Sequence, residues 1–332
     1  MYYGGKIMRK FLCLLGLAVV LPALAWAVEI REYPCYRLAS EPIIDGKLND
    51  EVWNTIPPCQ GFLVLGKGYA RIERQTLFKI GWTDKALFVA ADCADPAPSK
   101  LTADEADGGQ VWRDDSVELF LFPARQSTYK QFVINAKGSR LNCEGIGGQK
   151  LWNWTAKAAI GEQDWSCEAR IPFEVFKTIP GNEEIWRFNI ARNSFTSEAN
   201  ERYTCWVRLS SLGFHDVDNF GALVFKEKVL SQGEAEVIGR HLRLEPYIQK
   251  QIGELVKVRA EYKEVIEQGM QFKELRGEIQ KIQQGWTTAE EMAAKEEPSL
   301  QSMYDCWEQC RTLEERTRKL PLRVDMEKLF KE

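Results

Sequence analysis

The hydrophobic period of this chain changes once, near residue 230. Before that point apolar residues alternate. In Trp112–Phe122, which reads WRDDSVELFLF, Val117, Leu119 and Leu121 fall on one face and Ser116, Glu118 and Phe120 on the other. This is the period of a β-strand with one face in a core. After it, Leu255 with Tyr262, and Val258, Val265, Phe272, Ile279 and Trp286, recur every seventh residue, with Leu275 and Ile282 between them. That is a helical heptad stripe. One sheet cannot carry both periods, so a β unit over 28–230 and a helical unit over 231–332 are expected.

In the β unit, strands are predicted at 77–82 and 86–91 around a Thr83–Lys85 turn, and at 129–135 before a Lys137-Gly138 turn. Others are predicted at 165–172, stopped by Pro172, at 186–192 and at 220–225. One helical turn is expected at 174–177. Short strands without long helices between them predict a mainly β fold, an antiparallel β-sandwich. In the tail, Gly285 should stop one helix, and Thr287 and Thr288 with Glu290 and Glu291 should cap the next. Pro298 should open a further helix through Cys306, Cys310 and Leu313, which Pro321 should end. The expectation is a coiled-coil-like helical hairpin or small bundle. Its stripe is either buried internally or offered to a protein partner or a second copy.

The N-terminus reads as an export signal. Lys6, Arg9 and Lys10 precede the apolar run Phe11–Leu24 and the cleavage pattern Ala25-Trp26-Ala27, so residues 1–27 are expected to be removed. The run is short for a membrane span and no later segment approaches that length, so a secreted or periplasmic chain without a span is expected. Outside the signal, eight cysteines remain: Cys35, Cys59, Cys93, Cys143, Cys167, Cys205, Cys306 and Cys310. An even number in an exported chain predicts disulfides, with at least one bridge among the first six and a connectivity that sequence does not give. Cys306 and Cys310, four apart on one helix, are expected to be free or paired to another segment. No CxxC or Cys/His spacing supports zinc. A net charge of −4 without a basic run argues against nucleic acid.

Trp112 and Glu118 carry the chemical suggestion. A sugar packs its C–H face on an aromatic ring and needs polar partners for its hydroxyls once water leaves. Seven of the 11 tryptophans (82, 112, 152, 154, 165, 186 and 206) fall in the middle of the chain, more than a core alone calls for.

Several motifs then agree in order: IleIleAspGlyLysLeuAsnAspGluValTrp at 43–53, Trp82-Thr83-Asp84 before Leu87-Phe88-Val89, and WRDDSVELF at 112–120. They continue with Gln131-Phe132 and Asn135, Glu168 to Phe173, Phe188-Asn189-Ile190 with Arg192, and Asp216 to Phe220-Gly221 with Leu223. Together, over residues 36 to 226, they resemble carbohydrate-binding module family 9, a β-sandwich of exported xylan-degrading enzymes. The resemblance implies two aromatics sandwiching a terminal sugar, with Trp112 as the first and Phe214 as the second. It implies Glu118 and Asn135 as polar contacts. Val133 stands where the xylanase modules have an arginine, which implies altered specificity or loss of binding. The implied partner is a xylan- or glucan-type oligosaccharide. No cofactor is required. Calcium would be structural, with Asp92, Asp95, Asp104, Glu105 and Asp107 as its oxygen donors.

Three other functions compete. A glycoside hydrolase needs two carboxylates across a cleft, and Asp114, Asp115 and Glu118 qualify by chemistry, but a sandwich and a helical tail leave no room for a catalytic domain. A haem module needs Met or His ligands, yet Met1, Met8, Met270, Met292, Met303 and Met326 lie outside the sandwich, whose one histidine is His215. The third is a structural sandwich that has lost its ligand. A non-catalytic sugar binder is the leading expectation.

Overall fold

The computed structural model describes residues 30–66, 74–150, 152–295 and 300–331, so the expected signal peptide lies outside the described residues. The strands are β1 (Glu32–Arg37), β2 (Leu63–Val64), β3 (Thr76–Trp82), β4 (Ala86–Ala94), β5 (Ser116–Phe122) and β6 (Lys130–Asn135). They continue with β7 (Arg140–Glu144), β8 (Thr155–Ile160), β9 (Asp164–Pro172), β10 (Ile185–Asn193), β11 (Tyr203–Cys205) and β12 (Gly221–Lys226). Five of these coincide with predicted strands within two residues at both ends, and β4 runs three residues past its predicted end at 91. The helical turn is a 3₁₀ turn at Phe173–Val175, one residue earlier than expected.

The strands hydrogen-bond in the order β7-β6-β5-β10-β12-β1-β3-β4-β9-β8, with β11 on β10 and β2 on β11. The sheet is mixed, which corrects the antiparallel expectation. β1 runs parallel to both of its neighbours, Glu32–Tyr36 against Ala222–Lys226 and Tyr36–Arg37 against Gly81–Trp82. The chain between β1 and β3 is long enough to return to the same end, so no tight turn forces a reversal there. The two ends of the path approach each other. Trp154, just before β8, donates its indole N–H to Asn142 Oδ1 on β7 (2.8 Å). The result is a sandwich close to a closed barrel.

Alternation places Val117, Leu119, Leu121, Phe132, Ile134, Phe188 and Ile190 in one core. Aromatic rings fill it edge to face, with Phe78 5.6 Å from Trp206 and Trp186 4.9 Å from Phe225. The motif at 43–53 has a structural use. Buried Glu168 on β9 accepts from Asp45 N (3.1 Å), Gly46 N (2.9 Å) and Trp53 Nε1 (2.7 Å). Gly46 has φ +90°, and a Cβ there would lie 2.5 Å from the Ala158 carbonyl carbon. Only glycine fits that approach.

The tail contains α1 (Gln232–His241), α2 (Leu244–Glu261), α3 (Lys263–Gly269), α4 (Lys273–Ala293) and α5 (Leu300–Lys331). Ser231 opens α1 with a reciprocal capping box to Glu234. The predicted helix ends shift. Gly285 lies inside α4, where its missing side chain admits Leu313 of α5, and Pro321 lies inside α5. Breaks fall instead at Met270–Phe272, between α3 and α4, and after Ala293. Phe272, Ile279, Ile282 and Trp286 are buried against α5, so much of the heptad stripe is used within the bundle itself. Trp286 Nε1 donates to Thr317 Oγ1 (3.1 Å). Leu63 of β2 belongs to this helical core, and Gly239 of α1 abuts Pro58, so the bundle is seated on the sandwich.

All eight described cysteines are buried free thiols, which corrects the disulfide expectation. The strand cysteines serve as small apolar core residues. Even Cys306 and Cys310 stand 4.0 Å apart at sulfur, about twice a disulfide bond length.

Candidate functional site

The polar face of β5 builds the site. Ser116, Glu118 and Phe120 are flanked on β6 by Asn135, Val133 and Gln131, and on β10 by Asn193, Ala191 and Asn189. Directly opposed residues share a face, so this register gathers one carboxylate and several amides. Glu118 is 4% exposed. Its Oε2 accepts from Gln131 Nε2 (2.6 Å) and its Oε1 from Asn193 Nδ2 (2.7 Å), while Asn193 also donates to Ser116 Oγ (3.0 Å). Burial raises the Glu118 pKa above the usual glutamate value, and the two amide donors oppose that rise.

Above this face lies a cavity of about 1200 Å³ that Trp112, Glu118, Gln131, Asn193, Tyr203 and Phe214 help to line. Trp112 sits in a 3₁₀ turn, Val111–Arg113, and is 41% exposed. Phe214 is 8% exposed, and its ring packs 6.3 Å from Phe120 and 6.4 Å from Tyr203. Thus three of the four predicted residues, Trp112, Glu118 and Phe214, line one cavity. The second well-exposed aromatic is Tyr203, at 42%. It had no motif to mark it, but its partner across the β10–β11 pair is Asn193.

Asn135 is brought to the face but not to the cavity. Its Nδ2 donates to Asp114 Oδ2 (2.8 Å) and Glu105 O (3.2 Å), and its Oδ1 accepts from Lys137 N and Ser139 N. The tight turn after β6 captures this side chain, so it shapes the β6–β7 turn and the neighbouring loop. Val133, opposite Glu118, is buried in an apolar cluster with Val111, Leu141 and Cys143. The floor beside Glu118 is therefore uncharged. A cation enters from the wall instead, because Arg113 lines the cavity and is exposed.

Most of the acids named for calcium, and the two aspartates weighed for a hydrolase, are engaged in structural contacts. Asp95 is fully buried, ion-paired to Arg192 Nη2 (3.3 Å), and accepts from Ala97 N and Thr196 Oγ1. Asp107 pairs with Arg140 (2.9 Å), whose hydrogen bond to it holds its carboxyl below the usual range. Glu105 accepts from Gln110 N (3.0 Å). Asp92 lies on β4 and Asp104 in the loop before β5, so the five donors are spread over several segments. Among the described residues no three His, Cys, Asp or Glu side chains gather into a metal-binding group. Asp114 accepts from the backbone N–H of Asp104 (3.1 Å) and Glu105 (3.0 Å), and Asp115 from that of Thr102 (2.8 Å) and Phe195 (2.7 Å). Both are buried latches that fix the loops around the cavity.

A family profile described as carbohydrate family 9 binding domain-like matches residues 44–228. The chain belongs to this family. Its family 9 region is 25% identical over 194 residues to endo-1,4-beta-xylanase C of Paenibacillus barcinonensis, covering 56% of this chain and 17% of that enzyme. It is also similar to a family 9 module of Caldicellulosiruptor kristjanssonii solved with cellotriose. That match has TM-score 0.45 and 20% identity, over 59% of this chain and 94% of that one. A family 9 module of the same organism solved with glucose has TM-score 0.44 and 21% identity, over 59% of this chain and 96% of that one. Family 9 modules are carbohydrate-binding and non-catalytic as a rule, and among the described residues no helix is long and apolar enough to cross a membrane.

Proposed function

We propose that this chain is an exported, non-catalytic carbohydrate-binding protein, and that the cavity over β5, β6 and β10 receives the end of a xylan- or glucan-type oligosaccharide. One observation carries the reading. An exposed indole, Trp112, and a buried carboxylate held by two amides, Glu118, line the same cavity. The indole offers a C–H platform, and the Glu118–Gln131–Asn193 group offers hydroxyl partners whose geometry is set before the ligand arrives. Phe214 and Tyr203 supply the remaining aromatic wall. The apolar floor at Val133 leaves specificity to these groups and to Arg113. The export signal at 1–27 supports a location where polysaccharide is met. The latch roles of Asp114 and Asp115 support a binder over a hydrolase.

The test is calorimetric titration with cellotriose and xylotriose. Trp112→Ala should weaken binding about tenfold or more with an unchanged circular dichroism spectrum. Equal affinity in variant and wild type overturns the reading. So does release of reducing sugar from xylan by the purified protein.

A further inference from the structure

His215 follows Phe214 and lines the same cavity, yet no motif assigned it a role. Its ring stands edge-on to Phe120, with centroids 5.5 Å apart, and is exposed on its remaining side. Its Nδ1 lies 2.6 Å from the Tyr129 hydroxyl. Tyr129 is 6% exposed and packs on Phe120 and Phe220. A tyrosine hydroxyl at neutral pH is protonated, and burial pushes this one further, up to about 12. Packing of the His215 ring lowers its pKa, so the imidazole is neutral. In that neutral pair the phenol can donate to Nδ1, and with the bond in that direction the ring proton sits on Nε2. Among the described residues Nε2 has no hydrogen-bonding partner.

We infer that His215 is a ligand-contacting residue that presents a fixed Nε2–H donor to an acceptor oxygen of the bound sugar, and that Tyr129 is its positioning residue. The inference rests on the reading of this cavity as a saccharide site. It adds a neutral donor to a site whose Glu118 can only accept while ionised. The pair therefore selects a sugar unit that offers a hydrogen-bond acceptor toward His215, whereas its hydroxyl donors turn toward Glu118.

Two measurements on the full chain test it. In the ligand-free protein, ¹⁵N correlation spectra should show His215 as the Nε2–H tautomer, and Tyr129→Phe should yield a tautomer mixture. In calorimetry with cellotriose and xylotriose, His215→Phe should weaken binding roughly three- to tenfold, the effect of one neutral hydrogen bond. Tyr129→Phe should weaken it less. His215 is exposed, so unchanged melting temperatures confirm that the variants are folded. An Nδ1–H tautomer in the wild type overturns the inference. Wild-type binding that His215→Phe leaves unchanged overturns it while leaving the saccharide site standing. No wild-type binding to either sugar overturns both.

Discussion

Glu118 shows how a strand residue can be preset for the ligand contact proposed above. Its two oxygens are held by Gln131 and Asn193 from the neighbouring strands, and its folded-state pKa lies above the unfolded value because the carboxylate is desolvated. The sign follows from linkage. Stability tied to this group is fully present below the unfolded pKa and is lost as pH rises through the folded one. Relative to Glu118→Gln, the wild type should therefore be more stable at pH 4 than at pH 7, measured by denaturant unfolding at each pH. Glu168 is likewise held only by donors, the backbone N–H groups of Asp45 and Gly46 and the Trp53 indole. Glu168→Gln turns one acceptor toward the indole or backbone N–H groups into a donor. It should cost about 2 kcal/mol of unfolding free energy, read by the same denaturant titration. A loss below about 0.5 kcal/mol would show that those three N–H bonds do not hold the opening segment.

At the scale of elements, the Gly46 turn, the β5 strand and the loop latches differ in how far sequence reveals them. Gly46→Ala should destabilise by about 2 kcal/mol, because it combines left-handed backbone with a clash against another main chain. A chemical denaturation midpoint unchanged from wild type would refute this. Strand β5 and the Thr83–Lys85 hairpin were readable because each is a local pattern: alternation, and a short polar turn. The parallel pairing of β1 with β12 was not, because its partners lie about 190 residues apart and no local signal links them. Asn135 was named as a polar contact by the family resemblance, yet its amide is claimed by the turn two residues later, a competition that a motif match does not encode. Tyr203 was missed because β11 is three residues long and shows no alternation to read. The heptad positions were legible as a stripe. The helix breaks at Met270–Phe272 and after Ala293 were not, because Gly285 and Pro321 are stronger local stop signals, and the packing of α4 on α5 overrides both.

For the whole molecule, the eight buried thiols replace a covalent framework with a packed one. The melting temperature should not move on adding reductant. The folded protein should react with a thiol reagent only at the rate of unfolding, whereas the denatured mature chain releases eight equivalents. A reductant-induced fall in melting temperature would reveal a bridge. The helical tail should matter to stability and not to recognition. Leu63 links it to the sandwich, yet among the described residues none of α1 to α5 lines the cavity. Leu63→Ala should lower stability by roughly 2–4 kcal/mol and leave sugar affinity unchanged.

The latches Asp114 and Asp115 lie between the exposed indole of Trp112 and the buried carboxylate of Glu118, all within seven consecutive residues. Evolution cannot adjust the grip there without also unfastening the surrounding loops. Relatives with new tastes in sugar should therefore keep 112–118 nearly frozen and vary instead around Ile146 and Leu212, which line the cavity and are largely exposed.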